Sequence, residues 1–352
     1  MSEQSSVLVW LPGPMGDAIL AVPALRALRN HLPHANITFF ARPVVRQVLD
    51  PCRFTDGWLP RRSGNPFSVA ATLRQRAFTR CVLMKNSFGS ALTAFLAGIP
   101  ERIGYARQGR SLFLTQKLQP QRLPDGKYKP ISMIDYYLQL AALLGAETDD
   151  RTLELAVDLE AKRSLLEKLP QIRDNHRPLV VLVPGGAFGP SKRWPAKRFA
   201  ATADRLVSRY DATVVISVAD DPVEKQIARR ICDSAKSELI NLGERPISLA
   251  ELKALFGEAR LVITNDTGPR HIAIALGRKV VTLFGPNDPA WTETGWEDEI
   301  KIVGDAPCVP CQKPTCAMSE HLCMRSISVE MVLDAAEKLL QKDTAAQMRG
   351  NH

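Results

Sequence analysis

The sequence contains no run of about 18 apolar residues, so it lacks the stretch that a membrane-spanning helix needs. Only 6% of the residues are aromatic, and no tail rich in Lys and Arg is present, which disfavours a nucleic-acid-binding surface. The first residues also lack the basic segment before an apolar core that a secretory signal peptide needs. We therefore expect a cytoplasmic protein that does not bind nucleic acid.

A net charge of +9 is present instead, spread over scattered Lys and Arg residues. Such an excess suits an anionic substrate or an anionic membrane surface. A solvated basic surface without a partner is the equally weighted alternative. A phosphorylated substrate near a membrane fits the scattered pattern better than nucleic acid does.

Apolar runs typical of buried strands alternate with amphipathic, helix-like segments in both halves of the chain. A length of 352 residues suits two domains. The alternation predicts an α/β fold in which two Rossmann-like, doubly wound parallel-sheet domains face a cleft. The predicted segments are a first domain at 1–158, a linker at 159–177, a second domain at 178–328, a helix at 329–342 and a disordered tail at 343–352.

The turn at 265–271 follows a predicted strand and opens a helix, where free main-chain N–H groups suit a diphosphate. Gly268 lets the backbone approach a ligand closely, Thr267 adds a hydroxyl donor, and His271 can point to the same ligand. We expect Asp266 to cap the helix rather than to touch phosphate. An ordinary capped helix with a buried histidine is the alternative.

A second strand-to-helix loop, at 184–195, contains Gly185 and Gly186, which free the backbone, and Lys192, which supplies a point charge for phosphate. A solvated basic turn is the alternative. After the first strand, the loop at 12–17 ends in Asp17, whose charge would repel a pyrophosphate. Asp17 is therefore a candidate general base for an acceptor in the first domain, or a helix N-cap.

Further polar candidates lie in the first half of the chain. Asn86 and Ser87 end a predicted strand and are candidates for contact with an acceptor, as are the cations Arg61 and Arg107. The last sixth of the chain contains the pattern Cys-x2-Cys-x4-Cys-x6-Cys. Four thiols so spaced can bind a structural zinc ion, and free thiols in a folded surface loop are the preferred alternative; these residues are Cys308, Cys311, Cys316 and Cys323.

Taken together, these loops resemble the ADP-heptose:lipopolysaccharide heptosyltransferases, glycosyltransferase family 9. The family pattern Asp-Ser/Thr-Gly-x-x-His is matched by residues 266–271, and its Met-Gly-Asp loop by residues 15–17. The stretches 86–100 and 184–195 are similar to the heptosyltransferase II members. The resemblance covers residues 7–340, and the order of its motifs is more specific than any one of them.

The resemblance implies a GT-B fold and inverting transfer of L-glycero-D-manno-heptose from ADP-heptose to the heptosyl-Kdo-lipid A inner core of lipopolysaccharide. Asp17 would be the base, Lys192 and the turn at 265–271 would hold the diphosphate without a required cofactor, and Glu224 would contact a hydroxyl. It also implies a peripheral position at the inner face of the inner membrane, with a monomer as the default. Pro269 removes one N–H donor from the turn, and Arg270 is expected to replace that contact.

Three other functions stay open. A nicotinamide or flavin oxidoreductase would need Gly-x-Gly-x-x-Gly after the first strand, which the loop at 12–17 does not supply. A zinc-stabilised binding module would not need Asp17. A transferase of the same fold that uses another nucleotide sugar is the nearest alternative, because the diphosphate turn does not specify the base.

Overall fold

The computed structural model describes residues 5–61, 64–173, 176–318 and 320–349, with side chains as far as residue 342. The chain divides into two compact units. The first contains the residues up to Ala156 together with Ala290–Thr294, and the second contains Val157–Pro289 together with the residues from Gly295 onward. Most of the predicted linker at 159–177 is therefore part of the second unit, and residues 174–175 lie outside the described ranges.

The first unit is built from strands that alternate with helices. Its strands are β1 (Ser6–Trp10), β2 (Asn36–Ala41), β3 (Gly57–Pro60), β4 (Arg80–Leu83), β5 (Glu101–Tyr105) and β6 (Gln116–Leu118). Its helices are α1 (Met15–Leu20), α2 (Val22–His31), α3 (Pro43–Leu49), α4 (Pro66–Arg74), α5 (Phe88–Leu96) and α6 (Met133–Ala142).

All six strands of the first unit pair in parallel, in the order β3-β2-β1-β4-β5-β6. The central strand β1 is buried over Val7–Trp10 because helices cover both faces of the sheet, and such a strand needs an uninterrupted apolar run. This is the strand order of a Rossmann fold, whose ligands bind where the order reverses, here between β1 and β4.

The second unit repeats the alternation. Its strands are β7 (Leu179–Val183), β8 (Thr213–Ile216), β9 (Ile240–Asn241), β10 (Leu261–Asn265), β11 (Lys279–Phe284) and β12 (Glu299–Val303). Its helices are α7 (Leu159–Lys168), α8 (Ala196–Tyr210), α9 (Pro222–Ser234), α10 (Leu249–Glu258), α11 (Gly268–Ala275), α12 (Leu322–Ser326) and α13 (Val329–Arg349).

The second sheet is also parallel, in the order β12-β11-β10-β7-β8-β9, so its switch point lies between β7 and β10. The prediction of two doubly wound parallel sheets is confirmed. Each switch point is flanked by two loops in which the sequence analysis places candidate site residues. These are the loops after β1 and β4 in the first unit, and those after β7 and β10 in the second.

The last helix departs from its expected end. α13 continues to Arg349, so residues 343–349, which were expected to belong to a disordered tail, are helical. Residues 350–352 lie outside the described part. The first part of α13 is anchored by Val332, Ala336 and Leu339, which recur at helical spacing and are buried in the core of the second unit. No helix among the described residues has the length and apolar character needed to cross a membrane.

Candidate functional site

Asp17 lies in the first turn of α1, directly after the loop that leaves β1. It is not the N-cap, which is Pro14, and its carboxylate forms no hydrogen bond or ion pair within the described residues. The side chain is half-buried, and this burial raises the pKa of Asp17 to about 6. The N-cap alternative is therefore wrong, and the switch point of the first unit presents an unpaired carboxylate of increased basicity.

The neighbouring loop, after β4, is held by a buried network. Ser87 is the N-cap of α5 and accepts the main-chain N–H of Ser90 at 3.1 Å. Asn86 Oδ1 accepts hydrogen bonds from Arg110 Nη2 at 2.8 Å and from the Tyr136 hydroxyl at 3.1 Å. Both predicted acceptor contacts therefore have a positioning task within the first unit, and the amide nitrogen of Asn86 and the hydroxyl hydrogen of Ser87 are left for a ligand.

Three cations follow the carboxyl ends of three strands of the first sheet. Arg42 comes directly after β2, Arg61 directly after β3, and Lys85 shortly after β4. Burial, and then the charges of Arg61 and Arg42, lower the pKa of Lys85, so the three groups lie near one another. Within the described residues none of them forms an ion pair, so their positive charges are uncompensated and attract anions.

Sequence reasoning identified Arg61 but not Arg42 or the charge of Lys85. The sequence shows that each cation follows a predicted strand, but the strand order decides which of these cations lie near one another.

Arg107 has a different environment: its guanidinium carbon lies 3.9 Å from the centre of the Tyr128 ring, and Nη1 lies 3.3 Å from the Tyr136 hydroxyl. Its charge is therefore partly engaged by aromatic side chains.

In the second unit, Lys192 and Asp266 form a buried ion pair. Lys192 Nζ lies 2.6 Å from Asp266 Oδ2 and 2.8 Å from the main-chain oxygen of the same residue. Asp266 Oδ2 also accepts a hydrogen bond from Asn287 at 3.0 Å. Burial alone would raise the pKa of Asp266, but Lys192, aided by Arg270, holds that pKa below its ordinary value.

This pairing corrects two expectations. Asp266 does not cap α11, whose N-cap is Thr267, because its carboxylate is turned to Lys192. Arg270 does not offer a charge to a ligand: it is fully buried and binds Glu299 through Nε at 2.6 Å and Nη2 at 2.9 Å. Pro269 does lie in the first turn of α11. The donor that it removes is therefore not replaced by Arg270.

His271 is buried one turn into α11, with no hydrogen-bond partner for Nδ1 among the described residues. Burial, and then the charge of Arg270, lower the pKa of His271 to about 3, so the imidazole is neutral at physiological pH. The Thr267 hydroxyl makes no capping bond and lies beside Gly186. The start of α11, at Gly268, thus offers N–H groups and a hydroxyl.

Glu224 holds the loop after β7 in place. Its Oε1 accepts the main-chain N–H of Gly186 at 3.0 Å, and its Oε2 accepts that of Ala219 at 2.9 Å. A Cβ at Gly185 would overlap this carboxylate, so a larger residue there would displace the Glu224 side chain. Glu224 therefore positions this loop, and its expected contact with a substrate hydroxyl stays a prediction.

We expect Gly185→Ala to lower the free energy of unfolding by about 1–3 kcal/mol, because the new methyl group displaces Glu224 and its two hydrogen bonds. Gly57→Ala is the matched control, since a Cβ at that position meets no atom within 4 Å. Urea unfolding of both variants measures the difference. Equal stabilities would show that the collision is relieved without cost.

The cysteine-rich segment packs on the same loop. Ser191, next to Lys192, donates its main-chain N–H to the oxygen of Pro314 at 3.1 Å and its hydroxyl to that of Lys313 at 2.7 Å. His321 also contacts the main-chain oxygen of Ser191. Among the described residues, no three His, Cys, Asp or Glu side chains are arranged to hold a metal ion. The segment therefore holds the loop that contains Lys192 in place through contacts with main-chain oxygens.

The sequence model of glycosyltransferase family 9 (heptosyltransferase) matches residues 67–322. Lipopolysaccharide heptosyltransferase 2 of Escherichia coli is 28% identical over 81% of this chain and 84% of its own length. Lipooligosaccharide heptosyltransferase 2 of Haemophilus influenzae is 25% identical over 96% of this chain and 100% of its own.

Solved structures agree with this similarity. A family 9 glycosyl transferase from Veillonella parvula superposes with a TM-score of 0.81 at 23% identity, covering 97% of this chain and 99% of its own. The ADP-heptose lps heptosyltransferase II of E. coli superposes with a TM-score of 0.76 at 24% identity, covering 96% and 99%. These likenesses confirm the GT-B fold. Because the family match spans well over half of the sequence, this protein belongs to glycosyltransferase family 9.

Proposed function

We propose that this enzyme transfers L-glycero-D-manno-heptose from ADP-heptose to the heptosyl-Kdo-lipid A inner core of lipopolysaccharide, with inversion at the anomeric carbon. The relatives named as heptosyltransferase 2 support the donor and the pathway. The structural observation that carries the proposal is the unpaired, half-buried Asp17 carboxylate at the switch point of the first unit. The division into an acceptor-binding first unit and a donor-binding second unit is part of the proposal.

Asp17 takes the proton from the attacking hydroxyl of the acceptor. An ordinary aspartate is a weak base, and a pKa of about 6 makes the carboxylate a stronger base that is still ionised at neutral pH. Because the hydroxyl becomes acidic as the glycosidic bond forms, the proton moves late in the step. The bond to the diphosphate breaks on the opposite face of the sugar, which inverts the anomeric carbon.

The leaving ADP is stabilised by the second unit. Lys192 uses two of its three N–H donors on Asp266, which leaves the third for the diphosphate. The Thr267 hydroxyl and the N–H groups at the start of α11 add uncharged donors. The Asp266 carboxylate fixes the ammonium in place before the substrate arrives, which lowers the entropic cost of binding.

The acceptor is anionic, because the inner core and lipid A carry carboxylates and phosphates. The cluster of Arg42, Arg61 and Lys85 supplies positive charge at the carboxyl edge of the first sheet. Asn86 offers its amide N–H groups beside that cluster. Such an acceptor is presented at the cytoplasmic face of the inner membrane, where we place the enzyme.

We expect kcat/KM to fall as the pH decreases through about 6, because protonation of Asp17 removes the base. Below this pKa, the logarithm of kcat/KM should fall by one for each pH unit. In contrast, His271 stays neutral over this range, since its pKa is about 3. Initial rates measured between pH 5 and 8, with about three pH values per unit, check this expectation. A flat profile through that window contradicts the assignment of the base.

The function itself is tested with purified enzyme and a panel of nucleotide sugars. ADP-heptose, ADP-glucose, UDP-glucose and GDP-mannose are each offered with a heptosyl-Kdo-lipid A acceptor, and the product mass is recorded. We expect transfer from ADP-heptose alone. Transfer from a UDP- or GDP-sugar would instead identify a transferase of the same fold with another donor.

A further inference from the structure

Lys and Arg residues are scattered along the chain, but the excess of positive over negative charge is concentrated in one stretch of the first unit. Residues 57–124 contain eleven Lys and Arg and a single acidic residue, Glu101, giving a net charge of +10. The whole chain carries +9, so the remaining residues are together close to neutral. Even Glu101 is compensated, because its Oε2 lies 2.5 Å from Arg80 Nε.

The same stretch exposes large apolar side chains. Leu112 is 89% exposed and Phe67 69% exposed, while Phe88 and Phe95 are each about half exposed. These four residues are called the apolar surface below. Of the four exposed phenylalanines among the described residues, three belong to it. Exposure of this kind is costly in water unless another surface covers it.

The four side chains come from elements that pack together. The helices α4 and α5 lie side by side, and Arg74 at the end of α4 donates to the main-chain oxygen of Leu96 at the end of α5. The rings of Phe88 and Phe95 lie 5.3 and 5.4 Å from that of Phe113, the neighbour of Leu112. Phe67 is in the first turn of α4, as Phe88 is in that of α5.

The first unit therefore combines exposed apolar groups with cations beside them. Arg102 illustrates the combination, since its guanidinium carbon lies 5.5 Å from the centre of the Phe95 ring. Phe113 packs against the core of the unit and supports the rings of Phe88 and Phe95, which contact it. An aliphatic side chain as exposed as Leu112 gives nothing to stack on a nucleic-acid base.

We propose that the apolar surface docks on an anionic lipid bilayer, with its side chains among the acyl chains and the surrounding cations at the headgroup phosphates. The charge complementarity selects this occupant, because a second copy of the chain would bring the same positive stretch against itself. The inference deepens the proposed function, since an acceptor that carries lipid A is presented on such a bilayer. Docking there would hold the acceptor-binding unit at the membrane surface.

The test is co-sedimentation of the full chain with vesicles, without donor or acceptor. Vesicles of phosphatidylglycerol and phosphatidylethanolamine are compared with vesicles of phosphatidylcholine alone. We expect binding to the anionic vesicles only, weakened by salt. Each basic residue near an anionic surface strengthens binding by about fivefold, so reversing the charge of two residues should weaken it by about 25-fold or more.

Two pairs of substitutions separate the apolar and the charged contributions. Phe67→Ser with Leu112→Ser should weaken vesicle binding by about tenfold, because both side chains lose their apolar contact with the bilayer. Arg76→Glu with Lys117→Glu reverses two exposed cations of the same stretch and should have the larger effect.

The matched controls are substitutions in the second unit. Leu159→Ser with Met331→Ser removes exposed apolar groups there, and Lys197→Glu with Lys338→Glu makes the same change in net charge. Both controls should bind vesicles as the wild type does. All substituted side chains are exposed, so folding should be preserved, and circular dichroism checks this.

Three results would overturn the proposal. They are wild-type protein that does not bind anionic vesicles, substitutions in the two units that act equally, and sedimentation velocity that shows the apolar surface joining two copies of the chain. A protein that binds vesicles but transfers no heptose would overturn only the proposed function. A protein that transfers heptose without binding vesicles would overturn only this inference.

Discussion

Replacing Asp17 with asparagine should lower kcat by about 10³-fold, because a general base of this kind contributes between roughly 10² and 10⁴ to the rate. The affinity for ADP should stay unchanged, since the proposed diphosphate contacts belong to the second unit. Rapid-quench or coupled assays measure kcat, and isothermal titration calorimetry measures the affinity for ADP.

The same substitution should stabilise the protein at pH 7. The pKa of Asp17 is about 6 in the folded state, whereas that of a solvated aspartate is 3.8, so the folded state loses stability as the pH rises through this window. An asparagine cannot ionise and removes that cost, which amounts to at most about 3 kcal/mol. A variant that unfolds less readily yet turns over far more slowly has lost chemistry and not structure.

Asp220→Asn is the matched control, because Asp220 is an exposed aspartate of the second unit. It should change neither kcat nor the midpoint of thermal unfolding to a comparable extent. Turnover of Asp17→Asn near the wild-type level would show that the proton goes elsewhere. An unchanged stability at pH 7 would show that Asp17 is better solvated than its surroundings indicate.

Replacing Lys192 with methionine should weaken ADP binding by about 10- to 100-fold, because one charge-assisted hydrogen bond contributes about 1.5–3 kcal/mol. Methionine is unbranched and only one atom shorter than lysine, so it removes chiefly the charge and its donors. The substitution also leaves the buried Asp266 carboxylate without its lysine, which should lower the free energy of unfolding by about 3 kcal/mol. Calorimetry with ADP and urea unfolding separate these two effects.

Lys197→Met is the matched control, since Lys197 is an exposed lysine at the start of the next helix. The double variant Lys192→Met, Asp266→Asn provides a second control, because it removes both charges of the pair. It should recover much of the stability but not the affinity for ADP. If Lys192→Met binds ADP as tightly as the wild type, the lysine serves only its partner and not the diphosphate.

The elements and their loops were predictable because local pattern controls them. Buried strands such as β7 are uninterrupted apolar runs, and the loops with glycines and charged residues follow them at the carboxyl edge. The partner of each charged residue was not predictable in this way. Lys192 and Asp266 are far apart in the sequence, and only the pairing of β7 with β10 brings their loops together.

The tasks of Asp266 and Arg270 were mispredicted for a common reason. Each lies in a motif whose pattern points to a helix cap or a ligand contact, yet each is used by the protein to fix its own loops. A carboxylate next to a glycine-rich loop can bind a substrate or the loop itself, and the two differ only in tertiary contacts. The raised pKa of Asp17 was not predictable for the same reason, since it results from burial in the folded unit.

The short segment Ala290–Thr294 belongs to the first unit although the second unit surrounds it in the sequence. The main-chain oxygen of Glu293 accepts a hydrogen bond from the Ser132 hydroxyl at 2.5 Å, so the segment is tied to the N-cap of α6. During synthesis, the first unit therefore stays incomplete until the ribosome has passed residue 294, when most of the second unit has already been made. A gene fragment that stops at residue 156 would encode a first unit that is missing one of its parts.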